Sequence, residues 1–92
     1  MTICKQCFVS GRVQGVFYRD TTRQHAEKLQ LTGYAKNLID GRVEVVVCGP
    51  EESVDNLCEW LWTGSEYSNV SNVDCQKIDL NENEQNNKFV TM

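Results

Sequence analysis

Apolar and polar positions alternate over residues 3–10, where Ile3, Phe8 and Val9 share the run with Cys4 and Cys7, and Gly11 ends it. That period of two predicts a strand. The period changes after Asp20. Thr22, His25, Ala26 and Leu29 recur at the spacing of one helical face, which predicts a helix over 20–31. Gly33 restarts the chain, and residues 34–38 read as a second strand. Asp40-Gly41 is a hairpin turn signal, and the β-rich run 42–48 supplies the third strand. Gly49-Pro50 breaks that run. Pro50, Glu51 and Glu52 suit a first helical turn, because proline wastes no amide there and acids meet the positive end of the dipole. Val54, Leu57, Cys58 and Leu61 then form one apolar face, so a second helix runs to about residue 63 and Gly64 stops it. Residues 70–78 read as a fourth strand, 81–87 as an exposed polar loop, and 88–92 as a short edge strand.

The order β-α-β-β-α-β is that of the α+β, ferredoxin-like split βαβ arrangement. Right-handed crossovers then give an antiparallel sheet of order 4-1-3-2 with both helices on one face, and a short fifth strand at the C-terminal end. A length of 92 residues fits one domain, 1–92, with no internal repeat and no linker. This layout brings Cys4 near Cys48. The pair can be a disulfide or two reduced, packed thiols, and the reduced pair is the expectation for cytoplasm.

Composition narrows the class without naming a reaction. No apolar run approaches the ~20 residues of a membrane span, and residues 1–5 show no charged leader followed by an apolar stretch. The expected setting is therefore cytoplasmic, with no membrane partner. The net charge of −4 divides unevenly, about +3 over residues 1–49 and −7 over residues 50–92. An anionic ligand belongs with the first half. Cys4-Lys5-Gln6-Cys7 matches C-x-x-C, but strand residues three apart face opposite ways and no further pair completes a tetrahedral set. No metal and no cofactor are expected. Five cysteines, an odd number, also argue against a full disulfide framework.

The segment with chemistry in it is Gly11-Arg12-Val13-Gln14-Gly15-Val16-Phe17-Tyr18-Arg19, which joins the first strand to the first helix. Successive amides in a glycine-bearing turn can converge on an anion, and the helix N-terminus behind adds free N–H groups and a favourable dipole. Arg19 adds a planar fork of donors suited to phosphate. No Gly-Lys-Ser/Thr follows, and G-x-G-x-x-G is absent, so neither nucleotide fingerprint applies. Taken alone, two glycines in a βα loop are more often simple turn chemistry.

The wider string is more specific. Residues 11–16 followed by two aromatics and Arg19 resemble one signature of the acylphosphatase family. Gly33-Tyr34-Ala35-Lys36-Asn37-Leu38, with Asp40-Gly41-Arg42-Val43-Glu44, resembles the other, and Gly49-Pro50 through Trp60-Leu61 to Gly64-Ser65 follows the family pattern. The resemblance covers residues 3–78, with Phe89 matching less firmly. It implies hydrolysis of acyl phosphates to a carboxylate and inorganic phosphate. It implies that the amides of Arg12, Val13, Gln14, Gly15 and Val16 cradle the phosphate, that Arg19 binds it, and that Asn37 orients the water. Tyr18 stands where the family usually has phenylalanine, and Leu38 where some members carry a hydroxyl.

Other residues have plainer readings. His25 is expected at the helix–sheet border, Arg23 in solvent, and Trp60 and Trp62 in packing and surface cover. Ferredoxin-like sheets also serve RNA-binding modules, but here the first strand offers only Phe8, the third offers no aromatic, and the charge is acidic, so no nucleic acid is expected. The remaining alternative is a non-catalytic anion-binding or regulatory domain of the same fold. A lone monomer is the default assembly.

Overall fold

The computed structural model describes residues 1–79 and 87–92. The elements are β1 (Thr2–Arg12), α1 (Tyr18–Lys28), β2 (Thr32–Asn37), β3 (Val43–Pro50), α2 (Glu51–Trp60), β4 (Asn69–Ile78) and β5 (Phe89–Thr91). They form one sheet of order β4-β1-β3-β2-β5. The expected order 4-1-3-2 is present, with the fifth strand added beside β2. One feature differs from the expectation: β5 runs parallel to β2, so the sheet is mixed rather than wholly antiparallel. The expected polar loop at 81–87 lies outside the described residues except for Asn87.

Alternation along the central strands separates two faces. Ile3, Cys7 and Val9 of β1 and Val43, Val45 and Val47 of β3 are buried in the core cluster. Ala35 of β2 and Phe89 of β5 extend that layer. Tyr18 and Ala26 of α1, Val54 and Leu57 of α2, and Leu61 just beyond it pack against the same layer. Cys4, Gln6, Phe8, Glu44 and Cys48 take the other face. There Gln6 Nε2 donates to Glu44 Oε2 at 2.7 Å, and the Arg42 guanidinium lies 4.8 Å from the Phe8 ring centre.

Both helices are shorter than their sequence patterns. α1 stops at Lys28 because Gln30 turns left-handed at φ 57° and the Leu31 amide returns to Ala26 O. The expected helix included Leu29 to Leu31, whose apolar spacing continues past the point where the backbone turns. α2 ends at Trp60, and the Gly64 amide closes the following turn on Trp60 O. Pro50 precedes the helix as its N-cap rather than sitting in the first turn.

Two disulfides cross the sheet, one on each face. Cys4 pairs with Cys48 across β1 and β3, with Cα atoms 4.1 Å apart, and Cys7 pairs with Cys75 across β1 and β4, at 4.0 Å. The reduced thiols expected at Cys4 and Cys48 are thus replaced by a bond, and Cys58 alone is free. Direct opposition in the antiparallel ladders brings each pair within bonding reach.

Gly11 lies where β1 has parted from β3 but remains paired with β4. The ladder with β4 slips between Ser10 and Gly11, a bulge that leaves Ser71 unpaired. Gly11 adopts φ +116°, and a Cβ there would collide with the Asn69 carbonyl and the Ser71 amide. Gly11→Ala should lower the unfolding free energy by about 3 kcal/mol, read from the urea midpoint. Reducing Cys4–Cys48, which closes 44 residues of chain, should lower it by about 2–4 kcal/mol.

Candidate active site

The bulge delivers the chain into the turn between β1 and α1. Val13 and Val16 point into the core, at 1% and 5% exposure, and pin the loop while Arg12 and Gly15 stay in solvent. Gly15 takes φ 75° with open space around its Cα, and Phe17 takes φ 63° as the residue that caps α1. Two left-handed residues so close together curl the backbone around a small concavity.

Side chains from elsewhere hold the loop by its carbonyls and by its outer edge. Gln14 Nε2 donates to Leu38 O at 2.8 Å and to Arg42 O at 2.9 Å, which uses both of its amide protons. Leu38 N also donates to Arg42 O, so Gln14 joins the loop to the hairpin turn directly after Asn37. The buried Ser65 hydroxyl donates to Val16 O at 2.7 Å, and the Tyr18 hydroxyl donates to Leu61 O at 2.8 Å. Burial pushes the Tyr18 phenol well above its ordinary range, so it remains a neutral donor. Among the described residues, no turn or loop hydrogen bond uses an amide of residues 13–17. The first turn of α1 also lacks a side-chain cap. These N–H groups are the ones an anion would satisfy.

A pocket of about 260 Å³ opens at this point, lined by Val13, Gly15, Phe17, Tyr18, Arg19, Asp20 and Thr91. Arg19 is half-buried, and its Nη1 donates to Met92 O at 2.6 Å. The Met92 amide donates in turn to Ala35 O at 2.9 Å, so the end of β5 ties the arginine to β2. Asn37 closes β2 opposite Val43, and its Oδ1 is buried without a protein partner. A buried amide oxygen in that state is an acceptor whose hydrogen-bonding capacity the protein leaves unused.

Of the sequence-selected residues, Val13, Gly15 and Arg19 line the pocket, Gln14 and Val16 anchor its loop, and Arg12 stays exposed outside the lining. Asn37 sits outside the lining but one residue from the Leu38 carbonyl that Gln14 grips. Asp20, on the rim, had no sequence signal of its own. Its carboxylate would repel an anion, yet Arg23 holds it at 2.8 Å and keeps its pKa below the usual range. Arg23 also reaches Glu27 at 3.0 Å, so its single charge is shared between two acids rather than extended toward phosphate. Thr91 and Met92 were missed because three residues of edge strand carry almost no periodicity. His25 stacks on Trp60, 4.9 Å between ring centres, and so lies between the two helices rather than at the helix–sheet border.

Gln14→Ala should detach the loop from the hairpin. We expect a KM for anionic substrate raised about ten-fold or more, with stability lowered by about 1 kcal/mol, measured by steady-state kinetics and urea unfolding.

The model of the Acylphosphatase family matches residues 5–91. An acylphosphatase of Coxiella burnetii is 52% identical over 75 residues, covering 82% of this chain and 79% of that protein. The solved structure of an acylphosphatase from Coxiella burnetii superposes with a TM-score of 0.91 at 45% identity, over 99% of this chain and 93% of that one. The acylphosphatase of Bacillus subtilis superposes at 0.90 with 33% identity, over 100% and 99% of the two chains. With this loop, this pocket and these relatives, the chain belongs to the acylphosphatase family.

Proposed function

We propose that the pocket hydrolyses the carboxyl–phosphate bond of acyl phosphates, with the phosphate held by the amides of the 12–16 loop and Arg19, and the attacking water held by Asn37. Family membership supports the reaction, with an acyl phosphate as substrate and inorganic phosphate as product. The roles within the site rest chiefly on one observation: a buried, unpartnered Asn37 Oδ1 on the strand end that Gln14 fastens to the loop.

The chemistry suits such a site. The water oxygen forms a bond to phosphorus while the bond to the acyl oxygen breaks, and the carboxylate leaves with the electron pair. A carboxylate with a pKa of about 4 needs no proton to depart. Phosphoryl transfer then requires positioning and charge stabilisation, which loop amides and a guanidinium provide. Asn37 does not titrate near neutral pH, so it orients water without acting as a base. The water's proton passes to a phosphate oxygen of the substrate. The exposed Phe17 ring beside the pocket offers an apolar surface to the acyl group and favours loose selectivity there. All these groups come from one chain, which fits a monomer acting on a small molecule.

Two substitutions separate the roles. Arg19→Ala should abolish measurable phosphate binding and lower kcat/KM on benzoyl phosphate by about 10²–10³ or more. Asn37→Ala should lower kcat by about 10²-fold while inorganic phosphate still inhibits. Undiminished turnover in either variant would overturn the assignment of that residue. Absence of turnover of both acetyl and benzoyl phosphate by the unaltered chain would favour a non-catalytic anion-binding domain.

A further inference from the structure

Three cysteine sulfurs meet between β1, β4 and α2, away from the phosphate loop. Cys7 faces the helices from the middle of β1, and Cys75 lies opposite it on β4. Cys58 reaches in from the packed side of α2, with its Sγ 3.6 Å from that of Cys7. All three sulfurs lie within 4.8 Å of one another.

A free thiol beside a disulfide first suggests exchange between them. That displacement proceeds with attacking, central and leaving sulfurs close to a line. A line would add a disulfide bond of about 2.05 Å to the 3.6 Å approach and put the outer pair near 5.6 Å. The 4.8 Å limit makes the arrangement a triangle instead. A triangle of sulfurs suits a shared ion. With metal–sulfur bonds of about 2.3 Å, three thiolates around one ion stand roughly 4 Å apart. The Cys7–Cys58 spacing is already close to that value.

We propose that Cys7, Cys58 and Cys75, with the Cys7–Cys75 bond reduced, hold one thiophilic d¹⁰ cation, Zn²⁺ or Cu⁺, between α2 and the sheet. A dithiol opens the bond, giving up two electrons and two protons and becoming a disulfide itself. Binding then displaces one proton from each of three thiols. Soft sulfur ligands select these ions over magnesium or calcium. Cys58 and Cys75 are only half-buried, which leaves an entry path and room for a water as a fourth ligand on zinc. Lys5, two residues from Cys7 on the same side of β1, reaches the rim of the cluster, where Asp55 pairs with it at 2.8 Å, so the two together add no net charge there. Ion and disulfide exclude each other, so the cluster has two mutually exclusive covalent states.

The test uses the full chain, reduced with a phosphine under argon and titrated with Cd²⁺. The ultraviolet sulfur-to-cadmium absorption counts thiolates per ion, and benzoyl phosphate turnover checks that each variant is folded. One ion per chain should bind with the absorption of three thiolates, and the oxidised chain should show none at this cluster. Cys58→Ser and Cys75→Ser should each lose about a third of that absorption and bind at least ten-fold more weakly, with turnover retained. Cys48→Ser, on the opposite face, should keep the three-thiolate absorption. Full absorption in Cys58→Ser, a loss confined to Cys48→Ser, or no absorption in reduced, active protein would overturn the proposal. Should Cys75→Ser lose turnover, Cys58→Ser decides alone, since its near-isosteric change lies at a half-buried position.

Discussion

β1 is paired along both edges, with β3 on one side and β4 on the other, and that double pairing governs most of what surrounds it. A strand held on two sides cannot slip by one residue without exchanging its whole apolar set for its polar set. The register therefore fixes which way each cysteine points, where α2 packs, and at which residue the strand must leave the sheet. Ser10 and Gly11 form the bulge just before that exit, which comes at Arg12. The turn beyond them inherits its position from the ladders before it.

The turn is stiffened in a way that leaves its donors unused. Gln14, Ser65 and Tyr18 spend their hydrogen-bonding capacity on carbonyls of the loop, the hairpin and the α2 exit. Carbonyls that are already satisfied do not compete for, or repel, an anion in the concavity. Amides left without partners are preorganised donors, and they cost no rearrangement when charge arrives. The Asp20–Arg23 pair tempers the rim: the carboxylate stays ionised, and the guanidinium beside it offsets part of its field. The pair is surface-exposed and adds little stability, so its influence is on local potential.

Much of this was legible from residue order. The period-two runs and the 3.6-residue faces located six elements, and right-handed crossovers placed four strands in their observed order. The helix ends were less legible, since Leu29 to Leu31 continue an apolar spacing while Gln30 reverses the backbone. The short edge strand read at 88–92 is present as β5, but the hold of the neighbouring Met92 O on Arg19 left no signal in residue order. The cysteines gave the opposite difficulty. Cys4 and Cys7 form a local motif that suggests partnership, yet alternation sends them to different faces and different disulfides. Cys7, Cys58 and Cys75 share no spacing rule, and only the packing of α2 on the sheet brings them together.

The grip of Arg19 on Met92 O ties the site to the edge of the sheet. The arginine stands on α1, whereas the oxygen that orients it lies 73 residues further along the chain. Strands β1 to β4 pair with one another without β5, and an edge strand of three residues opens at lower cost than the central ladders. Until β5 docks beside β2, the guanidinium has no fixed partner on that wall. The sheet can thus stay intact while its anion site comes apart, and competence depends on the edge strand rather than on the core.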